Sequence, residues 1–138
     1  MEWKKFYPLF GLALFSVVFL AGILFLSPTK MYSEAQTIGY RTKDFKELTG
    51  RFEELAEKKG GAYAYRVLAL AQLPLGTDLH LLGHTVGDVL YVQEGVDGIA
   101  TCTQEFRNAC SHSIVVGALN EFGESALPLI RDACKKAP

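Results

Sequence analysis

The stretch Thr77-Asp-Leu-His80-Leu-Leu-Gly83-His84-Thr-Val-Gly87-Asp88-Val-Leu-Tyr91-Val-Gln93 decides how this chain is read. Leu82, Val86, Val89 and Leu90 recur at three- and four-residue spacing, the period of a helix with one face in a core. His80, His84 and Asp88 are four apart, so they share a second stripe with Tyr91. Thr77 is placed as N-cap, with Asp78 in the first turn, where its charge complements the positive end of the helix. Glycine inside a helix costs about 1 kcal/mol relative to alanine. The pair Gly83 and Gly87 therefore implies a neighbouring backbone packed close against this helix.

Outward from this segment the pattern remains helical. Phe45, Leu48, Phe52 and Leu55 form an amphipathic helix that ends at Gly60-Gly61, and Ala62 to Leu73 a more buried one closed by Pro74 and Gly76. Downstream, Gly95 and Gly98 break the pattern, a short helix is expected from Ile99 to Phe106, and Ala109 to Phe122 reads as a helix bearing His112. Glu124 to Lys136 starts one more. The brief Val89 to Val92 run fits the helical stripe better than a strand.

Upstream, Phe6 to Leu26 is apolar and carries no charge. A helix of that length spans roughly 30 Å of hydrocarbon. Trp3, Tyr7 and Tyr32 lie near its ends and Lys4, Lys5 and Lys30 bracket it, as at a membrane interface. A cleavable export signal is the competing reading, with Ser33-Glu34-Ala35 as its cleavage site, but signal cores run about 7–15 apolar residues and this run is longer. The expectation is an uncleaved anchor in the lipid bilayer, followed from Ser27 to Thr42 by a linker without sustained period. Either reading puts the rest of the chain outside the cytoplasm.

The chain holds three cysteines. In an exported domain they imply at least one disulfide, and Cys102 with Cys110 is the expected pair, leaving Cys134 unpaired. Sequence alone also allows the other pairings, reduced thiols in the core, or Cys110 as a metal ligand. From Thr77 to Cys134, Asp78, Asp88, Glu94, Asp97, Glu105, Glu121, Glu124 and Asp132 face only Arg107 and Arg131. Such a segment repels phosphate backbones, which argues against nucleic acid, and is compatible with a cation.

His80, His84 and His112 are the only histidines. Three imidazoles, with Asp88 as an auxiliary ligand, suit zinc or another divalent first-row metal. A hydrogen-bonded histidine pair without metal is the plain alternative. His80, His84 and Gly87 also occupy the spacing of the metalloprotease pattern H-E-x-x-H-x-x-G-x-x-H, but Leu81 stands where the general base belongs and Leu90 where the third histidine belongs. Ser111 and Ser113 beside His112 could be drawn as nucleophile and base, although adjacent serines are more often capping or surface residues.

The segment from His80 onward resembles uncharacterised, membrane-anchored bacterial and archaeal helical proteins. The resemblance rests on His80-x-x-x-His84-x-x-Gly87, on Tyr91, and on Cys102 followed by Cys110-x-His112. It implies a repeated unit in which a cysteine precedes Cys-x-His by about two helical turns. Cys134 would open a second such unit, whose second half the sequence does not include. Ser113 departs from the pattern where a glycine is expected, and no cysteine precedes His80.

The expected fold is all-α, a single N-terminal transmembrane helix and a small helical-hairpin domain outside the cytoplasm, with anchor 1–30, linker 31–42 and His/Cys domain 43–138. The expected function is divalent-metal binding through His80, His84 and His112, with activity unassigned. One rival is a structural or protein-interaction module whose helix Phe45 to Leu55 packs on a partner. A second is a metal-dependent hydrolase.

Overall fold

The computed structural model of the chain describes residues 28–41 and 44–137. The run Phe6 to Leu26, and with it the expected membrane span, lies outside the described residues. Among the described residues no helix is long and apolar enough to cross a membrane. The elements are α1 Pro28–Arg41, α2 Phe45–Lys59, α3 Gly61–Leu70, α4 Leu79–Glu94, α5 Ala109–Phe122 and α6 Leu127–Cys134. Short 3₁₀ segments cover Gly95–Thr101, Glu105–Asn108 and Gly123–Ala126. The described chain is all-α, as its periodicity requires.

Four local expectations are corrected. The segment read as a linker is helix α1, entered at Pro28, a residue tolerated in a first turn where its missing N–H costs nothing. Ala35 and Ile38 are buried in the core with Met31 packed beside them. That i, i+4, i+7 face is short, and Pro28 and Gly39 disguise it. The N-cap of α4 is Asp78, whose carboxylate accepts from Leu81 N at 3.0 Å, while Thr77 Oγ1 donates to Pro74 O at 2.7 Å. The helix expected from Ile99 to Phe106 is instead a 3₁₀ segment followed by a turn with Phe106, Arg107 and Asn108 at φ 54°, 54° and 61°. Finally, the apolar face of α2 is not left for a partner: Leu48, Phe52 and Leu55 are buried in the chain's own core.

One core joins the helices. Phe52 of α2, Leu68 of α3, Leu82 and Leu90 of α4 and Ile114 of α5 are its largest fully buried side chains. Burying each contributes roughly 1.5–3 kcal/mol. At the far end of α4, Gln93 ties in the α2–α3 corner: its Nε2 donates to Ala56 O at 3.0 Å and its Oε1 accepts from Gly61 N at 2.7 Å. One amide thus adds a second donor to the Ala56 carbonyl, which already accepts from Gly60 N at 2.9 Å, and satisfies an orphan N–H of α3. On the outer side, Glu34 of α1 accepts from Lys59 Nζ and from Tyr63 Oη at 2.7 Å. Burial raises the Glu34 carboxyl, but those two hydrogen bonds and the charges of Lys59 and Lys30 outweigh it and hold the group below its ordinary range.

The two histidine-bearing helices are joined by a crossover and not by a tight turn. They run side by side in the same direction, with Gly83 against Ala109, Gly87 against Ser113 and Tyr91 across Gly117. Each pair is 26 residues apart, the same separation that joins His80 to Phe106. A Cβ on Gly87 would stand 2.9 Å from Ser113 Cβ and 3.0 Å from the Cys110 backbone. The close approach implied by the glycine pair is therefore real. Residues 95–108 make the return crossover, so both helices begin at the same end of the domain.

Candidate metal centre

His80 lies in the first turn of α4 and His84 one turn on, while His112 lies in the first turn of α5. The parallel arrangement brings these amino ends together. Each of the three imidazoles offers a nitrogen, and the three nitrogens lie within 4.8 Å of one another. Ring centroids are 4.6 Å apart for His80 and His84 and 6.1 Å from each to His112. His80 and His84 are half-buried; His112 is exposed. Asp88, expected as an auxiliary ligand, stands outside this group and is exposed.

Hydrogen-bond partners constrain the protons. His80 Nδ1 is 2.7 Å from Phe106 O. A carbonyl only accepts, so Nδ1 carries the hydrogen and the Nε2 lone pair points away, toward His84 Nε2 at 3.2 Å. His84 Nδ1 is 2.9 Å from Ser113 Oγ, and that hydroxyl is also 3.2 Å from His84 O. Two arrangements satisfy this set. In one, Ser113 donates to His84 Nδ1, and His84 Nε2–H donates to His80 Nε2. In the other, Ser113 donates to His84 O and accepts from His84 Nδ1–H, which turns both Nε2 lone pairs toward one point.

The second arrangement needs a cation at that point. Two imidazole nitrogens about 2.0–2.1 Å from one tetrahedral ion stand about 3.3 Å apart. The observed 3.2 Å already matches, and an exposed His112 has only to swing its ring inward. Neutral imidazoles are what such an ion requires. Burial lowers the pKa of His84 from its ordinary value, and His80 and His112 add to the effect, while Asp88 and Asp78 oppose it. The positive amino ends of α4 and α5 act in the same sense as burial.

Behind the ligands sits the turn Phe106–Asn108. Left-handed backbone costs roughly 1–2 kcal/mol for each L-residue outside glycine. Three such residues in a row require support from their surroundings. Cys102 and Cys110 supply part of it as a disulfide across the loop, with Cα atoms 5.6 Å apart, which also excludes Cys110 as a ligand in this state. Cys134 is free and exposed. Neither the Phe106 carbonyl nor Ser113 was signalled as an anchor by the sequence. Ser113 did stand out as a departure from glycine, and its 26-residue register with Gly87 explains how a side chain fits there. Ser111, by contrast, donates to Asn108 O at 3.0 Å, a local helix-start contact. Compared with known protein families, curated proteins and solved structures, the chain matches none.

Proposed function

We propose that this is a single-pass membrane protein whose helical domain, held outside the cytoplasm, binds one divalent first-row ion, zinc by preference, through Nε2 of His80, Nε2 of His84 and a nitrogen of His112. The observation that carries the reading is the 3.2 Å approach of two Nε2 atoms whose Nδ1 partners are engaged elsewhere. Metal-ligating histidines are oriented in this way, with the second ring nitrogen fixed by a carbonyl or side chain. Three neutral ligands leave a fourth tetrahedral position for water or a ligand from solution. The uncharged run Phe6 to Leu26 supports the anchor, and a disulfide fits an oxidising compartment.

The metal-free interaction module has one observation in its favour, since the first proton arrangement satisfies every partner without an ion. A hydrolase has less support. Ser113 is buried and no carboxylate joins the histidine group among the described residues. Elemental analysis of the full chain, purified in detergent and dialysed against metal-free buffer after zinc loading, tests the proposal. One equivalent of zinc is expected. A content near zero assigns the histidines to the structural module.

A further inference from the structure

The loop from Cys102 to Cys110 is held from two sides. The disulfide closes its ends. Tyr65 from α3 presses on its middle, its ring meeting Phe106 edge-on at 5.6 Å between centroids and its hydroxyl accepting from Thr103 N at 3.1 Å. Between these holds lies the left-handed run Phe106, Arg107, Asn108, which aims the Phe106 carbonyl at His80 Nδ1. Cys110 is buried in the first turn of α5, against the backbone of Gly87 and two residues before His112. One covalent link thus fixes both the acceptor that orients His80 and the helix start that presents His112.

We infer that the Cys102–Cys110 disulfide is a positioning element for the metal site, so that metal affinity depends on its oxidation state; this rests on the metal reading above. Oxidised, the loop keeps His80 Nε2 turned toward His84 before any ion arrives. Reduction by a dithiol breaks the S–S bond, which takes up two electrons and two protons to give two thiols while the dithiol becomes a disulfide. The left-handed run then relaxes and the Phe106 carbonyl leaves His80. Both sulfurs are buried, so a reductant reaches them only when the loop opens. An ion held by His80 and His112 opposes that opening. By linkage, whatever factor the disulfide adds to metal affinity the metal adds to disulfide persistence.

The test uses the full chain in detergent, comparing zinc affinity of the unaltered protein with the Cys102→Ser/Cys110→Ser variant by competition against a chromophoric chelator. Far-UV circular dichroism follows helicity, and the ¹⁵N shifts of His80 report which ring nitrogen is protonated. Loss of an orienting partner typically costs 10–100-fold in metal affinity. That loss is expected with helicity retained and with His80 no longer locked as the Nδ1–H tautomer. Equal affinity in a folded variant overturns this inference alone, whereas no zinc on the unaltered chain overturns the metal reading and this inference with it. Should the variant lose its helicity, the unaltered protein decides. In a glutathione redox buffer its equilibrium is expected to shift at least about ten-fold toward the disulfide with saturating zinc, the lower end of that range. An unchanged equilibrium overturns the inference.

Discussion

Ser113 Oγ lies 2.9 Å from His84 Nδ1 and 3.2 Å from the carbonyl of the same residue, so one hydroxyl serves both the side chain and the backbone of His84. The direction of that O–H bond goes with the tautomer of His84: a hydroxyl turned to Nδ1 pairs with a proton on Nε2, and one turned to the carbonyl pairs with a proton on Nδ1 and a lone pair on Nε2. Ser113→Ala removes that choice while preserving the packing against Gly87. Zinc affinity is expected to fall by roughly ten-fold or more, because His84 Nδ1 loses its acceptor. Calorimetric titration of the variant checks this, and affinity equal to the unaltered protein would remove Ser113 from the site.

His84→Ala removes one of the two ligands whose Nε2 atoms already lie 3.2 Å apart. Zinc stoichiometry is expected to drop from one to near zero, with most of the helical signal retained, because the core is built from Phe52, Leu68, Leu82, Leu90 and Ile114 and not from the histidines. Elemental analysis and circular dichroism on the same sample separate loss of metal from loss of fold.

The metal-free protein carries a pH signature. The fold favours neutral His84, chiefly by burial and then through His80 and His112, against Asp88 and Asp78. A group whose folded pKa is depressed contributes stability above its unfolded value, and that contribution is lost as pH falls through the folded value. For His84 the window opens near its ordinary 6.5 and extends downward. The thermal midpoint of the unaltered chain is expected to fall more between pH 7 and pH 5 than that of His84→Gln. Parallel pH profiles for the two proteins would contradict this assignment.

Gly87→Ala tests the parallel helix pair. The added methyl would meet Ser113 Cβ at 2.9 Å and the Cys110 backbone at 3.0 Å, so α4 and α5 must separate. Overpacking costs typically about 1–3 kcal/mol, against which the better helix propensity of alanine returns up to about 1. A net loss of stability is expected in urea unfolding, accompanied by weaker zinc binding because His112 moves with α5. A gain in stability would show that the two backbones are not in contact.

The anchor is tested by topology. Protease added to intact cells is expected to remove the domain after Lys30 and leave Phe6 to Leu26 in the membrane, since that uncharged run is long enough to span it. Full protection of the domain would reverse the orientation.

Much of this domain was legible in its periodicity. The helix from Ala109 to Phe122 has the expected limits, and the Gly83/Gly87 pair foretold a close neighbour. The grouping of His80, His84 and His112 followed from spacing and from the absence of other histidines. Helix α1 was missed because its buried face is only Met31, Ala35 and Ile38, too few apolar residues to outweigh Pro28 and Gly39 in a sequence window. The left-handed turn at Phe106 was invisible for another reason. Only Asn108 favours the left-handed region, and one asparagine after a phenylalanine and an arginine is too weak a signal to announce a three-residue run held between the disulfide and Tyr65. The direction of α5 was equally hidden, since a hairpin and a crossover pair share the same helical period.

That direction sets the order of events when the chain folds. His80 and His84 are four residues apart and meet as soon as one turn of α4 forms, so an ion present from the start has a local two-point chelate that favours that turn. His112 arrives only after the crossover has been laid down and α5 has docked in register, a long-range step that is slow relative to helix formation. Metal uptake would therefore be biphasic, with a weak early complex on α4 and a tight late one, and the interval between the two phases would time the docking of α5.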